Sequence, residues 1–196
     1  IKNGHLDCLK QSSELLHYRI QGSFLCSLAA EYGHLDVLVY LHKHKGELDY
    51  TVFNKAVKMG CLDVVRYLHK RSCPWDRRIM EFAARGGHFE CVKFLHANRY
   101  PWNRWVSVAA TMIGDMSILK YLHHHGCPID EESCNAAARY GYLDILEYLR
   151  EIKCPWDENA YIHASTNGHV HVVDYLLREG CPWSARVCAS VVQSSS

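Results

Sequence analysis

Several kinds of motif are missing from this sequence. It contains no GxSxG, HExxH, P-loop or GxGxxG phrase, and no Cys-x-x-Cys pair. The first four absences remove the usual local signatures of hydrolase, metalloprotease and nucleotide chemistry, and the last removes a ligand spacing common in structural zinc sites. An excess of either charge is missing too: 22 Lys and Arg stand interspersed with 21 Asp and Glu, for a net charge of +1. Such a surface has no field to gather phosphate backbones or anionic lipid. The longest uncharged apolar runs, such as Val106 to Gly114, fall far short of the roughly 20 residues a membrane span needs. The expected partner is therefore neither nucleic acid nor membrane. No basic segment followed by a cleavable apolar one opens the chain at Ile1, so there is no secretory signal in view and both ends are expected to continue into something longer. Proline is scarce as well, and its five occurrences lead to what is present.

Pro74, Pro101, Pro128, Pro155 and Pro182 recur every 27 residues, and so do Gly33, Gly60, Gly87, Gly114, Gly141 and Gly168, each opening a phrase of the form GHLDVLxYLH. Internal repetition at a fixed period is the signature of a solenoid. Six complete repeats follow, at 19–45, 46–72, 73–99, 100–126, 127–153 and 154–180, with partial repeats at 1–18 and 181–196. The whole of 1–196 reads as one array.

One repeat can be read as a physical object. It opens on a phrase like CPWD, where proline forces the preceding residue into an extended conformation and ends any helix before it. The fourth place holds Asp49, Asp76, Asn103, Asp130, Asp157 or Ser184, residues whose side chains accept bonds from the free amides at a helix start. A first helix of about ten residues follows. It carries the strictest column in the sequence, Ala29, Ala56, Ala83, Ala110, Ala137 and Ala164, which implies close approach of a neighbouring backbone. The glycine suits the left-handed turn past a helix end. A second helix then carries a core stripe, Leu35, Val37, Leu38 and Leu41 in one repeat and Phe89, Cys91, Val92 and Leu95 in another. Two helices this short cannot bury their apolar faces alone, but stacked copies can. The fold class expected is all-α, a repeat solenoid of stacked antiparallel helix pairs.

Most of the ten cysteines and 14 histidines, and four of the five tryptophans, follow the same columns. Stacked helices lie about 8–10 Å apart, too far for equivalent cysteines to join in a disulfide, so free buried thiols and a reducing, intracellular compartment (cytoplasmic or nuclear) are expected. His34, His88 and His169 follow the glycine, and His42, His69, His96 and His123 end second helices. Residues that recur by column read as turn or outer-face groups, so no metal and no cofactor is expected. Trp75, Trp102, Trp156 and Trp183 read as anchors of the loop over the core edge. Nothing gathers into one exceptional constellation, and the expectation is that the protein is not an enzyme.

The second half of each repeat resembles the ankyrin repeat, whose hallmark runs AAxxGHLxVVxxLLxxGADVN. The matching stretches are AAEYGHLDVLVYLH at 29–42 and AARGGHFECVKFLH at 83–96. The repeats depart from the family in being shorter than the usual 33 residues or so, in lacking TPLH, and in writing GCPWD where GADVN and a projecting β-finger would stand. Short arrays with this CPWD phrase resemble those in expanded families of amoebae, oomycetes and giant DNA viruses, in which case a viral chain would act inside its host cell.

In ankyrin arrays the first helices line a concave side and the positions after the alanine pair contact the partner. That resemblance implies a non-catalytic protein–protein interaction module, binding a protein on the concave first-helix face through Tyr32, Met59, Arg78, Arg85, Trp105, Met112, Arg139 and Tyr140. These positions differ from repeat to repeat and hold residue types enriched at interface centres. Ordinary solvated variation is the other reading of the same columns. The rival functions are a structural spacer or assembly component of a larger particle, or a substrate adaptor for a ubiquitin ligase. Further repeats or a cap are expected at both ends.

Overall fold

The hydrogen bonding around the alanine and glycine columns sets the architecture. In each repeat the residue after the glycine donates its amide to the carbonyl of the column alanine, as in His34 to Ala29 at 2.9 Å, Cys61 to Ala56 at 2.9 Å and His169 to Ala164 at 2.9 Å. This closure needs a left-handed residue just past the helix, and the six glycines supply it with φ between 68° and 74°. At Gly60 a second constraint acts. A Cβ there would stand 2.4 Å from the ring of His88 in the next repeat, so a larger residue meets both torsional strain and a wall.

The computed structural model describes residues 23–184, which form two compact units, 23–101 and 102–184. The first contains α1 (Ser23–Glu31), α2 (Leu35–Lys43), α3 (Tyr50–Lys58), α4 (Leu62–Lys70), α5 (Ile79–Arg85) and α6 (Phe89–Ala97). The second contains α7 (Arg104–Met112), α8 (Met116–His124), α9 (Glu131–Tyr140), α10 (Leu143–Glu151), α11 (Glu158–Thr166) and α12 (Val170–Arg178). Each unit is thus three antiparallel helix pairs, and among the described residues there is no strand. Within a unit, odd-numbered helices pack on odd and even on even. The fold is the all-α repeat solenoid expected. All six column alanines are buried between these stacked first helices.

The second helices contribute the bulk of the core. Leu38, Leu41 and Leu68 in the first unit, and Ile118, Leu122, Ile145 and Leu146 in the second, are essentially inaccessible. Fully burying such a side chain contributes about 1.5–3 kcal/mol each, against which the ordering of some nine residues per helix must be set. Leu35 and Phe89, at the start of the expected stripe, are only half-buried, because the stripe rotates outward at the first turn.

The caps follow the expected residues with two departures. Asp49, Asn103 and Asp157 accept from the amide two residues on, at 2.9, 2.9 and 3.0 Å. Asp76 accepts in the same way from Arg78 at 2.8 Å, yet residues 77–78 form a turn and α5 begins only at Ile79. Asp130 has the extended backbone of a cap but makes no cap bond, since its Oδ2 takes the Arg104 guanidinium at 3.0 Å instead. Ser184, the last of this column, hydrogen-bonds Glu158.

Candidate functional site

Thiols and imidazoles, the groups most able to do chemistry, are spent on joining repeats. The cysteine that opens a repeat donates its thiol to the carbonyl of the previous repeat's capping residue. This is seen for Cys73 to Asp49 at 3.2 Å, Cys154 to Asp130 at 3.2 Å and Cys181 to Asp157 at 3.4 Å. Burial pushes Cys73, Cys127 and Cys181 up, each to about 12, so these three remain protonated donors and not nucleophilic thiolates. Cys134 is also raised, first by its hydrogen bond with Cys154 and then by burial. All eight described cysteines are free, and all but Cys61 are buried.

His42, His88, His123 and His169 reach the neighbouring repeat instead of their own turn, which corrects that part of the expectation above, whereas His44, His124 and His125 bond the carbonyl four residues back in their own helix. Nε2 of His88 donates to the Lys58 carbonyl at 2.8 Å, and Nε2 of His169 to that of Arg139 at 3.0 Å. Along the second helices, Nδ1 of His42 hydrogen-bonds the Tyr67 hydroxyl at 2.7 Å, and His123 the Tyr148 hydroxyl at 2.8 Å. Phe94 stands where the next tyrosine would be and meets His69 edge-on at 5.5 Å. The missing hydroxyl comes from Tyr100, 3.0 Å from His69 Nδ1. No group of three or more His, Cys, Asp or Glu side chains is placed to hold a metal ion among the described residues.

The tryptophans of the opening phrase are less covered than an anchoring role predicts. Trp75 and Trp183 are exposed, Trp75 packing against Tyr100 at 5.0 Å. Trp156 is sandwiched instead, with the Arg150 guanidinium 4.0 Å over its ring and Tyr175 at 6.5 Å.

Of the sequence-predicted partner residues in the first unit, Tyr32 is 67% and Met59 52% exposed, each in the turn that ends a first helix. Arg78 and Arg85 are exposed and engaged locally, Arg78 with Asp76 at 3.3 Å and Arg85 with Glu81 at 3.1 Å. Solvated pairs of this kind are weak and give way readily to a partner.

In the second unit Trp105 is 44% exposed, with the Arg104 guanidinium 4.8 Å over its ring. Met112, Arg139 and Tyr140 come together around a hollow of about 100 Å³ on the first-helix face of α7, α9 and α11, which Glu132, Asn135 and His163 complete. Val108 and Ala136 form its apolar floor. Asn135 is 3% exposed, and its Oδ1 has no hydrogen-bond partner. Burial lowers the proton affinity of His163, and the nearby Arg139 lowers it further.

Sequence reasoning missed Asn135, Glu132 and His163. The signal for Asn135 was present in its column, which reads Ser27, Asn54, Glu81, Val108, Asn135 and Ile162. A place that is apolar in two repeats and carries a carboxamide in two others, two residues before the buried alanine, marks an unusual polar group next to the core.

Residues 26–104 match the family model for ankyrin repeats in three copies. Among solved structures, the crystal structure of the human ASB11 ankyrin repeat domain is similar, with a TM-score of 0.67 over 86% of this chain and 96% of that one, at 13% identity. At that identity the likeness shows the fold alone. None of the curated proteins matches the chain by sequence. Ankyrin repeats are in general non-catalytic modules for protein–protein interaction. Ankyrin repeats are thus matched by sequence over residues 26–104, and over the greater part of its length the chain has the fold of an ankyrin repeat domain.

Proposed function

We propose that the chain is a non-catalytic interaction module that binds a protein partner on the first-helix face of its repeats, through Tyr32, Met59, Arg78 and Arg85 in the first unit and Trp105, Met112, Arg139 and Tyr140 in the second. One observation carries this reading. Of the twelve exposed large apolar side chains among the described residues, eight (Phe24, Leu28, Tyr32, Tyr50, Met59, Trp105, Ile113 and Tyr140) lie on first helices or in the turn just after them. Exposed aromatics are costly to solvate, and binding energy concentrates on such residues. The near-zero net charge supports a mixed protein surface over a polyanion as the partner. No helix among the described residues is long and apolar enough to cross a membrane.

Affinity capture with the full chain tests the face. Replacing Tyr32, Arg85, Trp105 and Tyr140 together by Ala should lower recovery of the captured partner at least tenfold. The control, Trp75 and Trp183 replaced by Ala on the loops, should leave recovery unchanged. Equal recovery by the quadruple variant, with its thermal unfolding unaltered, would contradict the assignment.

A further inference from the structure

We infer that the exposed stripe of α12 is a self-docking surface, on which a second copy of this chain packs antiparallel through Val170, Asp174, Leu177 and Arg178. This goes beyond the reading above, since it uses a second helix and not the first-helix face. At the other junctions, two places on the second helix carry a nitrogen to an aromatic of the following repeat. His42 bonds the Tyr67 hydroxyl and His123 that of Tyr148, at 2.7 and 2.8 Å. Arg66 stands over the Phe94 ring, Lys120 over Tyr148 and Arg150 over Trp156, at 5.2, 5.3 and 4.0 Å. Each junction within a unit has at least one such contact. In α12 the same two places hold Asp174 and Leu177. Neither supplies a ring nitrogen or a cation, so this helix is not built to receive one more repeat of the same kind.

What α12 offers instead is apolar surface. Val170 is 67% and Leu177 58% exposed, and among the described residues they are the only large apolar side chains exposed on a second helix. The place of Leu177 holds His42, His69, His96, His123 or Arg150 in the other repeats, so a leucine there departs from a polar column. With Leu143, His171, Asp174 and Arg178 it borders a shallow hollow of about 490 Å³, open to an apolar side chain from outside. The charges then choose the occupant. Asp174 and Arg178 are exposed one turn apart on the same helix face, with Leu177 between them. Among the described residues neither has an ion-pair or hydrogen-bond partner. A minus sign followed one turn later by a plus sign is complementary to itself when the helix is reversed. A two-fold axis midway between them sets Asp174 of each copy against Arg178 of the other, twice over, with the two Leu177 side chains meeting at the centre. An apolar centre between charged rims is the usual anatomy of a small interface. One helix face buries little area, so the expected affinity is micromolar.

Sedimentation equilibrium of the full chain across the micromolar range tests the surface. Wild type should show monomer and dimer in equilibrium and nothing larger, because a two-fold contact closes on itself. Leu177→Asp, at an exposed position, should weaken dimerisation at least tenfold. Asp174→Arg and Arg178→Asp should each weaken it severalfold by setting like charges together, and the double variant with the charges exchanged should restore it. Neither general stickiness nor a damaged fold gives that restoration, and unchanged thermal unfolding of each variant at low concentration checks the fold directly. The quadruple first-helix variant described above should dimerise as wild type does, so the two surfaces stand or fall separately. A chain that stays monomeric throughout would overturn the proposal and leave α12 to a continuation of the chain or to another protein. A dimer indifferent to Leu177→Asp would overturn it too, as would a double variant no stronger than the single ones. Growth beyond the dimer would mark head-to-tail stacking and overturn the two-fold arrangement.

Discussion

At the scale of single residues, each repeat contains two left-handed positions, of which only one is always glycine. The second precedes the residue that opens the next repeat, and there Lys45, Ser72, Arg99 and Lys153 adopt φ of 52–68° while Gly126 and Gly180 do so freely. The six equivalent bonds that close the second helix, such as Cys154 to Leu149 at 2.9 Å and Cys127 to Leu122 at 2.9 Å, hold these side chains in a strained backbone. An L-residue there costs about 1–2 kcal/mol, partly offset by the roughly 0.5–1 kcal/mol of extra chain entropy glycine would lose on folding. Lys153→Gly should therefore raise stability by about 0.5 kcal/mol, read from the urea midpoint at constant slope. Gly60→Ala should do the opposite by about 2 kcal/mol or more, because strain of about 1–2 kcal/mol adds to the contact of its Cβ with His88. If the two variants shift the midpoint in the same direction, the backbone account is wrong.

At the scale of helices, caps and rungs decide where each element starts and how it meets its neighbour. Asp157 caps α11 through the Asn159 amide, whereas Asp130 makes no cap bond to α9 and turns to Arg104. Asp157→Ala should cost about 1 kcal/mol. Asp130→Ala should cost less than half as much, because it loses only a half-exposed ion pair and also removes a buried oxygen without a partner. Calorimetry of the two variants checks the order, and equal losses would show that Asp130 caps after all. The element pattern itself was legible in the sequence. A period of 27, proline before four of the six first helices and glycine before each second one specify type and sequence of the twelve helices, since these residues act locally. The late start of α5 was not legible, because Asp76 forms the same bond as its counterparts although residues 77–78 form a turn. Nor were the His–Tyr rungs, which link residues 25 apart on neighbouring helices and depend on how one repeat settles on the next. The Tyr100 hydroxyl that replaces the one absent at Phe94 shows that the packing conserves the rung rather than the residue.

At the scale of the whole molecule, columns that repeat build the scaffold and columns that vary are left to the surface. The scaffold side of that division was readable in its helix pairs and buried columns, while the thiol and imidazole bonds between repeats were not, because they depend on distances across the stack. The candidate site was readable in part. Exposed residues such as Tyr32 and Trp105 stand out because they break a column, but a hollow exists only where three first helices lie side by side, and no single column reveals it. Asn135, on its wall, looks like tolerated polarity until its burial and its missing partner are both seen. Hydrogen–deuterium exchange on the full chain, alone and bound to the partner it captures, tests the central claim most directly. Slowed exchange around Tyr32, Met59, Trp105 and Arg139–Tyr140, with α4, α8 and α10 unchanged, is the predicted result. Protection confined to those second helices, or to the loops at Trp75 and Trp156, would contradict the assignment of the first-helix face as the binding surface.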